Sequence, residues 1–186
     1  VKRQHAASID VVQNKVVNAL TQAAFIKFMT SPSQMFLNAM QTPMVAFPRM
    51  AAKYGAARSA KALRSALADY TRSRADMLGD KSVIDPNSKE GQVLRALFED
   101  GTLDITQAHD LAGIANGGEA AISPYFDQAM RWMSYAMHKS ENFNRQVTAL
   151  GTIRSLLADP KNSDMSVADL TTAARNMVMS THYNYA

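Results

Sequence analysis

Cysteine is absent from the chain, which excludes a disulfide framework and any thiolate metal site and leaves no thiol nucleophile. Bulky strand formers are scarce, with a single Trp, and the apolar positions are filled mainly by Ala, Leu and Met. That composition predicts an all-α fold. Charge is missing altogether between Lys27 and Arg49, and no acid lies between Asp10 and Asp69. The uncharged run Phe28–Pro48 is long enough for a membrane or a large packed interface. Pro32, Pro43 and Pro48 break it, however, so it does not read as a simple spanning helix. No signal peptide is visible, because Lys2 and Arg3 lead into the amphipathic stretch Ile9–Leu20 rather than an apolar core.

What is present divides unevenly. The 186 residues suit one domain or a piece of something larger, and the start at Val1 without an initiator Met reads as a segment of a longer polypeptide. The formal charge of +4 hides an asymmetry: residues 1–79 hold eleven Lys/Arg against three acids, or +8, and the remainder nine against thirteen, or −4. A basic front half and an acidic back half can attract one another between copies, or the basic half can face polyanions.

Periodicity predicts seven to eight helices. A first helix over residues 6–29 carries Ile9, Val12, Val16, Ala19, Leu20, Ala23 and Ile26 on one stripe, and Ser31-Pro32-Ser33 ends it. A short apolar segment, Gln34–Gln41, follows. Thr42-Pro43 reads as an N-cap with Pro at the first helical position, Pro48 as a kink or restart, and Gly55 as a C-cap. The next helix is predicted over Ala56–Leu78, with Leu63, Leu67, Tyr70, Met77 and Leu78 inward and Gly79 as its stop. Ser88 caps a short helix over Lys89–Phe98, and another is expected over Thr106–Ala115. Ser123-Pro124 opens a long helical region whose two apolar stripes are out of phase. The first is Phe126, Met130, Met133 and Met137; the second runs from Phe143 to Leu157. A break is therefore expected near His138–Ser140. Asp159-Pro160 ends that region. Ser166 and Asp169 resemble a capping box opening the last helix, with Val167, Leu170, Ala174, Met177 and Val178 inward. The charge switch at the turn-rich stretch Gly79–Asn87 predicts two helical lobes, 1–79 and 88–186, joined by a linker over 80–87.

Catalytic signatures are missing. His5, His109, His138 and His182 are scattered, with no paired-His or HExxH spacing for zinc. The acids Glu99, Asp100, Asp104 and Asp110 cluster near predicted helix ends, where capping accounts for them better than acid–base chemistry. The run Gly113 to Gly118 lacks the Lys-Ser/Thr of a phosphate loop and follows no strand. No catalytic residue, metal or cofactor is called for by these patterns.

Two features carry interaction chemistry instead. Arg58, Lys61, Arg64 and Arg72 fall on one helix face, where cations can track phosphates without reading sequence; a solvated face is the competing account. The Met-rich positions Met35, Met40, Met44 and Phe47, with Met130, Met133 and Met137, read as core packing first and subunit interface second. Contact with a membrane surface, flanked by Lys27 and Arg49, is the third reading.

Two stretches are similar to a known family. They are Leu37 to Pro48 continuing through Ala51-Ala52-Lys53-Tyr54-Gly55, and Met133-x-x-Ala136-Met137-His138-x-x-Glu141-x-x-Asn144-Arg145-x-x-Thr148-Ala149-Leu150 with Arg154 following. Together with the closing Tyr183-Asn184-Tyr185-Ala186, these resemble the C-terminal helical regions of internal virion (ejection) proteins of short-tailed phages and related large polyvalent phage proteins. The resemblance implies storage in the virion, passage into the host envelope, and a part in a conduit for genome delivery. It implies partners among copies of the chain and other virion proteins, with double-stranded DNA passing by. It carries no active site. Glu141, Asn144 and Arg145 match its pattern and are assigned to helix–helix hydrogen bonding that sets register.

Overall fold

The computed structural model describes Leu37 and residues 40–103 and 124–182. Side chains of its longest helix are described at residues 132, 135 and 136 and from 138 onward. The described residues are all-helical: a π-helical turn (Thr42–Ala46), α1 (Phe47–Tyr54), α2 (Ala56–Arg72), α3 (Lys89–Glu99), α4 (Pro124–Leu157), a 3-10 turn (Pro160–Asn162) and α5 (Val167–Thr181). The expected helices over 6–29, 34–41 and 106–115 lie wholly or mostly outside the described residues.

Local chemistry explains most element ends. Pro48 does not break the chain between the π-helical turn and α1. A proline has no N–H to donate and its ring presses on the carbonyl four residues back; here the turn ahead of it widens, with Phe47 N–H donating to Thr42 O, a five-residue step of the kind that forms a π-bulge. Gly55 caps α1 at φ 91°. Ser88 Oγ accepts from Gly91 N–H to start α3, and Ser166 Oγ accepts from Asp169 N–H while donating to its carboxylate to start α5.

Helix α2 stops at Arg72, well before Gly79. Ala75 N–H bonds Tyr70 O and Arg74 N–H bonds Thr71 O, a Schellman pair, with Arg74 and Ala75 both at positive φ. Its inward face also differs from expectation. Ser59, Ala62, Ala66 and Tyr70 are buried, while Leu67 is 45% exposed. Small side chains face inward because α2 packs along the C-terminal half of α4 at close range: a Cβ on Gly151 would meet Leu63 Cδ2 at 2.7 Å.

The expected break at His138–Ser140 is absent, and α4 is one helix of 34 residues, about 51 Å long at 1.5 Å per residue. No Pro or Gly occurs from Tyr125 to Leu150, so nothing interrupts its hydrogen-bond ladder. A stripe that rotates along a helix asks for a change of neighbour, not a change of backbone.

The expected division into lobes 1–79 and 88–186 is not seen in the core. One cluster of buried apolar side chains runs from Ala66 and Tyr70 of α2 through Met77 and Ile84. It continues to Val93, Leu94 and Leu97 of α3, Val147, Leu150 and Ile153 of α4, and Leu170, Ala174 and Val178 of α5. Residues 80–87 thus belong to the same body: Ile84 enters the core, and the Asp85–Pro86 backbone lies against Gly91 so closely that a Cβ there would sit 2.2 Å from Asp85 O. A switch in surface charge says nothing about where apolar faces meet.

Candidate functional site

The basic face predicted on α2 is only partly available. Arg58 is bound to Asp159 at 2.8 Å, and Arg72 pairs with Asp69 one turn earlier at 3.2 Å. Lys61 and Arg64 are exposed and make no ion pair with any described residue. The exposed cationic part of the stripe is therefore centred on these two, with Arg72 at its end. Arg49 and Lys53 of α1 are exposed and keep their charge, Arg49 donating to the neutral Ser180 O at 3.2 Å and the Lys53 ammonium lying 5.3 Å from the Tyr54 ring centre.

Many of the acids that balance the basic front half are already engaged. Asp76, Asp85 and Asp169 accept from nearby backbone or hydroxyl groups. Asp100 accepts from Arg175 and from Thr102 N–H. Burial works against the Asp100 charge, but these hydrogen bonds outweigh it and hold its carboxyl below the usual range. Asp159 is held low as well, first by the Lys161 N–H and then by Arg58.

Of the Met-rich positions, Met40 and Phe47 are half-buried, while Met44 is 60% exposed and Val45 and Leu37 also face solvent. The π-helical turn buries Thr42 and Ala46 and turns Met44 outward. Met44 is thus not core; Met50, fully buried, takes that place. Met35 and the side chains of Met130, Met133 and Met137 lie outside the described residues. On the same half of α4, Trp132 and Tyr135 are exposed and meet edge to face at 6.2 Å.

Glu141, Asn144 and Arg145 are all buried, and they form part of a polar junction. The Arg145–Glu141 pair, 2.8 Å apart, lies within α4 at a four-residue spacing rather than between helices. Arg145 reaches its neighbour through the other guanidinium nitrogen, donating to Thr102 O at 3.0 Å. Asn144 does bridge elements, accepting from Thr42 Oγ1 at 2.7 Å. Two residues on, Gln146 accepts from Met77 N–H at 3.1 Å. Burial pushes the Glu141 carboxyl above its ordinary range, against the pull of Arg145.

His182 completes the junction, and sequence reasoning gave it no role. It is 5% exposed, with Nδ1 3.0 Å from Gln41 Oε1 and Nε2 2.9 Å from Thr148 Oγ1. With the Gln41 carbonyl as acceptor, Nδ1 carries the proton and Nε2 accepts from the Thr148 hydroxyl. Desolvation first, and then the Arg145 charge, lower its pKa to about 4. His182 lies outside the helical stripe, as the extended C-cap of α5, so periodicity gave no signal for it.

Arg154 was also missed as more than part of a pattern. It reaches Glu90 at 2.8 Å, Asp69 at 2.7 Å and Ser65 Oγ at 3.0 Å, joining α2, α3 and α4. Burial opposes its charge, but the two carboxylates outweigh that and raise its pKa.

Chemically, these groups bind and position. Among the described residues no set of three His, Asp or Glu side chains could hold a metal ion, and no described helix is long and apolar enough to cross a membrane. The fold and site define a class: an all-α bundle with hydrogen-bonded polar side chains buried between its elements. Comparison of the chain with protein families, curated proteins and solved structures finds no match.

Proposed function

We propose that the chain is a structural assembly module of an ejection-type internal virion protein of a short-tailed phage. In this reading it resides in the virion and then in the host envelope, and helps form a conduit for genome delivery together with copies of itself and other virion proteins. The observation that carries the reading is the π-helical turn. It presents Met44 and Val45 to solvent from a backbone tied down by the Thr42–Asn144 hydrogen bond. A rigid, apolar, outward-facing turn suits a subunit contact, because little conformational freedom is lost when it docks. Analytical ultracentrifugation and electron microscopy test it. The expected result is rings or tubes that dissociate on Met44→Lys with Val45→Lys; a chain that stays monomeric at all concentrations speaks against the reading.

Exposed Lys61 and Arg64 favour a second reading, a nucleic-acid-binding auxiliary domain of a large phage polymerase-associated or envelope-degrading polypeptide. Such a domain would bind double-stranded DNA without sequence preference, with an affinity that falls steeply with salt. Charge reversal of both residues should weaken binding and flatten the salt slope by about two. Retention of the full slope would remove the DNA-facing role from this face in either reading.

A further inference from the structure

Among the described residues, three hydrogen bonds tie side chains of the segment from Gln41 to Tyr54 to the rest of the bundle, and two of them end at the C-terminal end of α5. Gln41 meets His182, Arg49 donates to Ser180 O, and Thr42 donates to Asn144 of α4. We propose that the His182 contact is an acid-sensitive clasp: protonation of its imidazole releases the π-helical turn and α1 from the end of α5, while the core of α3, α4 and α5 stays closed.

The Gln41 bond would itself survive protonation, since Nδ1 donates in both states; what favours the neutral ring is its other partner and its burial. Neutral His182 matches its two partners, donating at Nδ1 to a carbonyl and accepting at Nε2 from a hydroxyl. The imidazolium has two donors and no acceptor, so the Thr148 hydroxyl would have to rotate away and find another acceptor. Thr148's own backbone carbonyl is already used by Thr152 Oγ1. A positive charge at this buried position would also lack solvation. Among the described residues, the charged groups on the surrounding elements do not rescue it. On α4 these are Arg145, which acts against the imidazolium, and Glu141, which is bound to Arg145 and drawn toward its neutral form by burial. On α1 the nearest is Arg49, another cation, bonded two residues before His182. After α3 it is Asp100, already held by Arg175 of α5. Acid would neutralise Glu141 and leave Arg145 less compensated, which adds to the repulsion.

Release would uncover buried Ala46 and Met50 beside the already exposed Met44 and Val45, enlarging an apolar surface. The clasp stands on the junction's geometry alone and does not depend on the assembly role.

Hydrogen exchange on the full chain tests it. Between pH near 7 and near 5, corrected for intrinsic rates, amides of 44–54 and 179–182 should lose about tenfold or more of their protection, and they should exchange through an opening less dependent on urea than that of 93–97 and 147–156. Unchanged protection of 44–54 and 179–182, or the same urea dependence in all four regions, overturns the clasp. His182→Gln keeps a hydrogen-bonding side chain without the titration, and its segment 44–54 should stay protected in acid; opening as in the wild type also overturns it. If His182→Gln fails to fold, the ring of wild-type His182 is titrated by NMR. It should stay neutral well below its ordinary 6.5, and titration at that ordinary value refutes the proposal.

Discussion

Arg154 grips Glu90 through two parallel hydrogen bonds, Nε to Oε1 at 3.0 Å and Nη2 to Oε2 at 2.8 Å, and the same guanidinium holds Asp69. Lysine carries the charge but not the fork. Arg154→Lys is expected to destabilise the bundle by about 1 kcal/mol. Arg154→Met, which leaves two carboxylates facing each other half-buried, is expected to destabilise it by roughly 2–3 kcal/mol. Urea denaturation of both variants checks the order; equal stability of the two would show that the charge contributes nothing beyond the fork.

Gly91 sits in the first turn of α3, where helix propensity alone favours Ala by about 1 kcal/mol. The close approach of the Asp85–Pro86 backbone reverses that preference, since a backbone neighbour cannot swing aside as a side-chain tip can. Gly91→Ala should destabilise by about 2 kcal/mol. A thermal midpoint equal to or above the wild type would show that the turn shifts freely.

Arg74 holds φ 55° at the end of α2 with its side chain exposed. Glycine adopts that conformation without the Cβ penalty, so Arg74→Gly is expected to stabilise by about 0.5–1 kcal/mol. A loss of stability in denaturant titration would mean that the arginine makes a compensating contact.

The junction at His182 predicts a pH dependence of global stability. The unfolded ring takes a proton near 6.5 and the folded ring only near 4, so between those values the unfolded state holds more protons. His182 therefore contributes its full share of stability above pH 6.5 and loses it on acidification. From neutral to about pH 5 the loss should be about 2 kcal/mol. Glu141, whose folded carboxyl binds its proton more readily, acts in the opposite direction nearer the ordinary carboxylate range. Asp100 and Asp159, both held low, lose their contributions only below it. Urea melts across this range should show the fall in the wild type and a flat profile in His182→Gln; parallel curves would assign the dependence elsewhere.

How much of this was legible beforehand varies by element. The caps at Ser88, Ser166 and Gly55, the inward stripe of α5 and the end of α4 before Asp159-Pro160 follow from spacing and short-range chemistry, and they were read correctly. The early end of α2 was not, because its stop uses Arg74 and Ala75 where glycine is the ordinary signal. No break occurs in α4, because a stripe that rotates along a helix does not require the backbone to turn. On the candidate site, Asn144 accepts from Thr42 across elements, a contact that no local spacing specifies. Arg145 was assigned a partner on the wrong helix, since a four-residue spacing also permits a pair within one helix.

Composition and periodicity alone determined the all-α class, because helix propensity and the 3.6-residue repeat act over a few residues. Tertiary structure decided which cations are ion-paired among the described residues. Arg58 and Lys61 are indistinguishable by spacing, yet Asp159, a hundred residues away, claims only Arg58. It also decided that His182, unremarkable in sequence, lies between Gln41 and Thr148. Ion pairs and buried hydrogen bonds between distant segments depend on where whole helices come to rest, and a local pattern carries no record of that.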